Sequence, residues 1–178
     1  MRLEALTRNN CELVRQWRNL DITAYRTPYM MTEEMQSSFY DDVICNRNSD
    51  SRYFAVIDEA VNKGSEQEFV AMVGLVTISP ENRSAELSIV VRPEHRLKGI
   101  GTKALKLLLQ HGFMSMNLEH IYGECYECSP SFSWWIKIIK ADKFMTYSTL
   151  PCRKFHNGMY HNSIYFDFNR GAIYNDDI

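Results

Sequence analysis

The residues best suited to chemistry lie in one stretch, VVRPEHRLKGIGT at positions 90–102. Arg96 stands three residues ahead of Gly99, and Gly101 follows two further on. An apolar segment ends just before this stretch and a helical pattern begins at its end. A loop placed so aims several backbone N–H groups at one point, and the helix start adds roughly half a positive charge. The two glycines allow strained angles and close approach of a ligand to the main chain. Anionic oxygens such as those of a pyrophosphate could be held there without a metal. The spacing is neither the dinucleotide fingerprint G-x-G-x-x-G nor the Walker loop G-x-x-x-x-G-K-[ST]. It is R-x-x-G-x-G, and on the glycines alone a plain strand-to-helix turn remains an alternative.

Proton transfer needs a second group. Glu86 interrupts an otherwise apolar strand, so its carboxylate faces either solvent or a cleft. Glu124 and Glu127, on or just after the next strand, are the reserves. Burial beside a cleft would raise any of these carboxyls toward neutrality, which suits a base. Cys125-x-x-Cys128 with Cys152 and His156 has the ligand types of a structural zinc site. A whole helix interrupts that set, however, and the reading is no metal. Trp134 and Trp135 suit a core, a stacking surface or a pocket wall.

The elements that must position these groups follow from periodicity. Residues 1–6 form a strand. Leu13, Val14, Trp17 and Leu20 mark a first helix. Thr32 caps a second, with Glu33 and Glu34 in its first turn and Met35, Phe39 and Val43 as its buried stripe. Residues 52–58 alternate as a strand, 59–68 are a polar loop, and 69–79 and 84–91 form a hairpin across a Pro80–Arg83 turn. A helix over about 101–116, a strand over about 121–126, a helix within 131–141 and a last strand over about 163–168 complete one domain. An antiparallel meander followed by a helical crossover is a mixed α/β (α+β) pattern.

Composition narrows the class. With 20 basic and 22 acidic residues and a formal charge of −2, the chain lacks the electrostatic footprint of a nucleic-acid binder. No apolar run is long enough to span a membrane, and no secretion-type h-region opens the sequence. Five cysteines, an odd number unevenly spread, fit free thiols in a reducing cytoplasm.

With Arg96-Leu97-Lys98-Gly99-Ile100-Gly101 in this element order, the chain resembles the GNAT superfamily, whose coenzyme A motif is Q/R-x-x-G-x-G/A. Trp17-Arg18-Asn19, Ala85-Glu86-Leu87-Ser88-Ile89 and Asn157-Gly158-Met159-Tyr160-His161-Asn162 are similar to the branch that acetylates polyamines, amino sugars and protein N-termini. The resemblance implies a central mixed, splayed sheet flanked by helices, a single domain over residues 1–178, and acetyl-CoA as co-substrate without a metal. It implies that the main chain of Leu97, Lys98, Gly99, Ile100, Gly101 and Thr102, with Arg96, binds the pyrophosphate. Ile89, Val90 and Val91 would line the pantetheine arm, and Ser129 would touch the coenzyme where the family has an asparagine. Glu86 would be the catalytic base for an amine that must lose its proton before attack. The implied acceptors are a small amine, an amino sugar or a protein N-terminus, with no nucleic acid or membrane partner and a possible homodimer. The family's tyrosine acid is missing from the helix around Trp134; Tyr126, Tyr147 and Ser133 are candidates, or water. That gap keeps a non-catalytic acyl-CoA-binding module as the alternative. The segment 25–31 (Tyr25, Arg26, Tyr29, Met30 and Met31) would wall the acceptor side.

Overall fold

The computed structural model describes residues 1–59, 68–141 and 145–171. Most of the expected loop over 59–68 therefore falls outside the described residues. Seven strands form one sheet: β1 (Arg2–Ala5), β2 (Arg52–Asp58), β3 (Glu68–Ser79), β4 (Ser84–Val91), β5 (His120–Tyr126), β6 (Met145–His156) and β7 (Met159–Asn169). Their order is β1-β2-β3-β4-β5-β7-β6. Every neighbouring pair is antiparallel except β4–β5, which is parallel. Parallel neighbours need a crossover connection, and helix α3 (Ile100–Gln110) supplies it.

Helix α1 (Arg8–Asn19) starts with a reciprocal cap. Asn10 N–H donates to Thr7 Oγ1 at 3.2 Å, and Thr7 N–H donates to Asn10 Oδ1 at 3.0 Å. Its buried residues are Cys11, Val14 and Trp17, whereas Leu20, expected on that stripe, is exposed at the C-cap. Helix α2 (Glu33–Phe39) starts at Thr32 as expected, with Met35 N–H donating to the Thr32 hydroxyl at 3.3 Å. Its buried residue is Gln36 rather than Met35, which is exposed. Gln36 turns inward beside the buried Cys11 of α1 instead.

Strand β6 was not expected. Apart from Lys154 its residues are exposed or half-buried, so it shows no alternation. Pro151 also argues against a strand except at an edge or bulge, and both apply. β6 ends the sheet order, and its register with β7 breaks between Leu150 and Lys154, where Cys152 has φ +53°. Asn157 and Gly158 (φ +50° and +79°) make the two-residue turn that joins β6 to β7, the Asn-Gly hairpin signal.

The sheet separates two apolar layers. On one face α3 and α4 (Phe132–Ala141) bury Leu105, Leu108, Leu109, Trp135, Ile138 and Ile139 against Leu75, Ala85, Leu87, Ile121 and Phe166. On the other, α1 covers Ala55, Ile57, Phe69, Met72 and Val90. The seam between β4 and β5 is short. Ser84, Ala85 and Glu86 pair with His120, Ile121 and Tyr122, and beyond these no β4–β5 pair forms among the described residues. Gly123 is the first residue past the last pair. A Cβ there would lie 2.8 Å from the Phe166 ring and 3.3 Å from Leu87 Cγ. The missing side chain lets Phe166 and Leu87 fill the point where the sheet opens.

Candidate active site

The loop after β4 leads through a short turn at Pro93–His95 to α3. Leu97 (φ +60°) and Gly99 (φ +78°) are both left-handed, and the Leu97 side chain is wholly exposed. No side chain caps α3, so its first amides lack intrahelical partners; the ladder opens with Lys103 N–H donating to Gly99 O at 3.2 Å. A Cβ on Gly99 would meet nothing within 4 Å, whereas one on Gly101 would sit 3.5 Å from Trp134 and 3.7 Å from Val91. Gly99 is thus required by backbone angle, whereas the space at Gly101 admits a methyl group at ordinary contact distance and nothing much larger. Arg96 Nε donates to Val91 O at 3.2 Å, tying the loop to the strand end. Trp134 Nε1 donates to Thr102 Oγ1 at 3.1 Å, tying α4 to the first turn of α3.

The open seam has its own polarity. Arg92 N–H donates to Val70 O at 2.9 Å, and Val91 is registered opposite Ala71. Main-chain groups of alternate residues turn to opposite edges in antiparallel pairing. Those of Arg92, Val90 and Ser88 therefore face β3, and those of Val91, Ile89 and Leu87 face the seam. Val90 also buries its side chain in the α1 layer, and Ile100 buries its own in the α3 layer. Among the residues expected along this wall, Ile89 and Val91 present hydrogen-bonding groups to the opening.

On the α1 face of the seam, two carboxylates meet at one guanidinium. Arg26 donates to Glu86 Oε1 at 2.6 Å and Oε2 at 3.0 Å, and reaches Glu124 Oε2 at 3.3 Å. The Glu86 side chain is 15% exposed, Glu124 9% and Arg26 58%. Glu124 also accepts from the Ser163 hydroxyl at 2.6 Å and from Arg153 Nε at 3.4 Å. Burial alone would raise the Glu124 carboxyl, but hydrogen bonds from Ser163, Arg153 and Arg26 outweigh it and hold it below its ordinary value. The hydrogen bond with Glu86 raises the Arg26 guanidinium still further above its usual range. Tyr126, buried beside Arg26, is pushed up by burial and by the Glu124 charge, so its phenol stays neutral.

Other expected residues are placed elsewhere. Glu127 accepts from Asn162 N–H at 3.2 Å and Asn162 Nδ2 at 3.4 Å, a tie between the turn after β5 and strand β7, outside the carboxylate cluster. The Ser129 hydroxyl is buried against Ser131 Oγ at 2.9 Å at the start of α4. Trp135 is core, 4.4 Å from Phe166 between ring centroids, while Trp134 is half-buried against the coenzyme-type loop. Tyr147 and Ser133 are exposed. All five cysteines are free thiols, and burial pushes Cys125 up, away from nucleophilic use. Among the described residues no three His, Cys, Asp or Glu side chains converge as a metal would require. Sequence reasoning missed the pairing of Arg26 with Glu86, and it missed Ser163. A partial signal existed: alternation puts Tyr122, Glu124 and Tyr126 on one face of β5, and Ser163 is registered opposite Tyr126.

An uncapped helix start beside a parted pair of strands, with carboxylates on the α1 face, is an arrangement that suits an acyl-coenzyme A transferase. A profile described as an acetyltransferase (GNAT) domain matches residues 1–128, and the chain belongs to that family. It is an acetyl-CoA-dependent N-acetyltransferase. The spermidine N(1)-acetyltransferase of Escherichia coli (strain K12) is 30% identical over 156 residues, covering 88% of this chain and 73% of that protein. The enzyme of the same description from Vibrio cholerae serotype O1 is 26% identical over 123 residues, covering 67% of this chain and 66% of its own. Among solved structures, the Vibrio cholerae spermidine N-acetyltransferase in complex with CoA and spermine superposes with a TM-score of 0.79 at 23% identity, covering 97% of each chain. A dodecameric form of that enzyme in an intermediate state gives 0.73 at 24% identity, covering 95% of this chain and 93% of that one. These likenesses establish the fold. No helix among the described residues is long and apolar enough to cross a membrane.

Proposed function

We propose that the acceptor is a compact polycationic amine of the polyamine type. The observation that carries this is the convergence of Glu86 and Glu124 on a single cation at the open seam. Two carboxylates a few ångströms apart, both mostly buried, favour positive charge between them. The names of the relatives, spermidine acetyltransferases, point the same way.

In this reading the main chain of Leu97, Lys98, Gly99, Ile100, Gly101 and Thr102 holds the pyrophosphate, with Arg96 at its edge. The seam-facing groups of Ile89 and Val91 hold the pantetheine arm and stabilise the developing oxyanion. The amine enters from the α1 face. Glu86 takes its proton directly or through water, nitrogen attacks the thioester carbon, and the carbon–sulfur bond breaks. The leaving thiolate takes a proton from water, since α4 carries tryptophans and no tyrosine. Binding both substrates together supplies much of the acceleration. All seven strands join one sheet, which supports a single domain; the free thiols fit a reducing cytoplasm, and the dodecameric relative supports assembly from several copies.

The test is acetyl-CoA consumption against a panel of spermidine, spermine, monoamines, amino sugars and peptides with free N-termini. Turnover led by the polyamines is expected. Turnover confined to amino sugars or peptides would overturn the assignment.

A further inference from the structure

The group that now fills the carboxylate pair belongs to the chain itself. Arg26 lies on the solvent side of Glu86 and Glu124, more exposed than either. Its segment is anchored on both flanks. Tyr25 O accepts from Lys154 Nζ at 2.5 Å, and the Tyr25 ring stacks under Arg18 at 4.6 Å. Met31 exchanges hydrogen bonds with Asn19, N–H to Oδ1 and O to Nδ2, each at 2.9 Å. Between these anchors Arg26, Tyr29 and Met30 are exposed. The guanidinium can therefore leave without moving the elements that hold the carboxylates.

We propose that Arg26 is a built-in occupant of the acceptor's cation site, displaced when the amine binds, and that it thereby selects acceptors with two or more positive nitrogens. The inference rests on the polyamine reading above. The reacting nitrogen must be neutral to attack, so at that moment it gives no charge to either carboxylate. If Arg26 has been displaced by a monoamine, Glu124 keeps Ser163 and Arg153, at 3.4 Å, but loses Arg26, at 3.3 Å, one of its two cations. Leaving a mostly buried carboxylate short of its partner is costly. A diamine restores the balance: its second ammonium takes the place of the guanidinium while the first reacts at Glu86.

The experiment measures KM and kcat for spermidine, 1,4-diaminobutane and butylamine with wild type, Arg26→Gln and Arg26→Lys. Removing the competitor should lower the KM for spermidine about threefold to tenfold with kcat held within about twofold. Arg26→Lys, whose point charge cannot span both carboxylates, should fall between. Butylamine should be the poorest acceptor of wild type. A raised KM or collapsed kcat in Arg26→Gln would overturn the proposal, because Arg26 would then be positioning Glu86. Butylamine turned over as well as spermidine would overturn the charge requirement. If wild type acetylates none of the amines, the polyamine reading fails separately. Calorimetric titration of spermidine into the CoA-saturated proteins then decides on Arg26: tighter binding by Arg26→Gln supports displacement, and equal or weaker binding refutes it.

Discussion

Trp134 on α4 donates its indole N–H to the Thr102 hydroxyl in the first turn of α3. The same ring stands 3.5 Å from where a Cβ on Gly101 would be. One side chain thus braces the helix start to which the proposed function assigns the coenzyme. Trp134→Phe keeps an aromatic ring there but removes the hydrogen bond and part of the contact with Gly101. A loss of about 1 kcal/mol in stability is expected, with the KM for acetyl-CoA rising about threefold and kcat little changed. Thermal melts and initial-rate kinetics check both.

The two loop glycines should fail differently. Gly101→Leu drives a side chain into Trp134 and Val91, so CoA binding should vanish while the domain stays folded. Gly101→Ala, which meets only ordinary van der Waals distances, should bind nearly normally. Gly99→Ala has room but must hold φ +78°, a strain of about 1–2 kcal/mol. Calorimetry with CoA and melting curves separate the three. Normal CoA affinity in Gly101→Leu would refute the placement of the pyrophosphate.

Glu86→Gln preserves shape and one acceptor oxygen toward Arg26 but cannot take a proton. Its kcat should fall about a hundredfold or more, with CoA affinity unchanged by calorimetry. Undiminished turnover across the pH range would remove Glu86 from the proton path. It would leave Glu124 as the neighbouring carboxylate to test.

Glu124 links stability to pH. Its folded-state carboxyl lies below the ordinary value, so the stabilisation it gives is present above the unfolded value of about 4.3 and is lost as pH falls through the lower folded one. Wild type should therefore melt above Glu124→Gln at neutral pH. The gap should narrow as pH falls below the unfolded value and through the lower folded one. A gap independent of pH would mean that the ion pairs with Arg26 and Arg153 contribute nothing.

Some of this was legible in local pattern. Thr32 caps its helix because cap chemistry involves residues three apart, a rule that also fits Thr7, which sequence reasoning passed over; Gly99 marks a left-handed turn because few other residues adopt that angle without strain. The short reach of these effects also limited the reading. Leu20 and Met35 fit helical stripes by spacing, yet both are exposed, since the stripe that counts is the one facing the sheet or the neighbouring helix. β6 lost its alternation because an edge strand with Pro151 buries almost nothing, although Asn157-Gly158 marked its turn.

The site divides the same way. By itself the sequence determined the strand-to-helix turn at Arg96–Gly101, a main-chain feature built from contiguous residues, and placed Glu86 on the strand before it. Only the tertiary structure decided that Arg26, 60 positions from Glu86 and 98 from Glu124, closes the two carboxylates into one cluster. Contacts over such separations depend on strand register and on how helices pack across a sheet. No local periodicity encodes either.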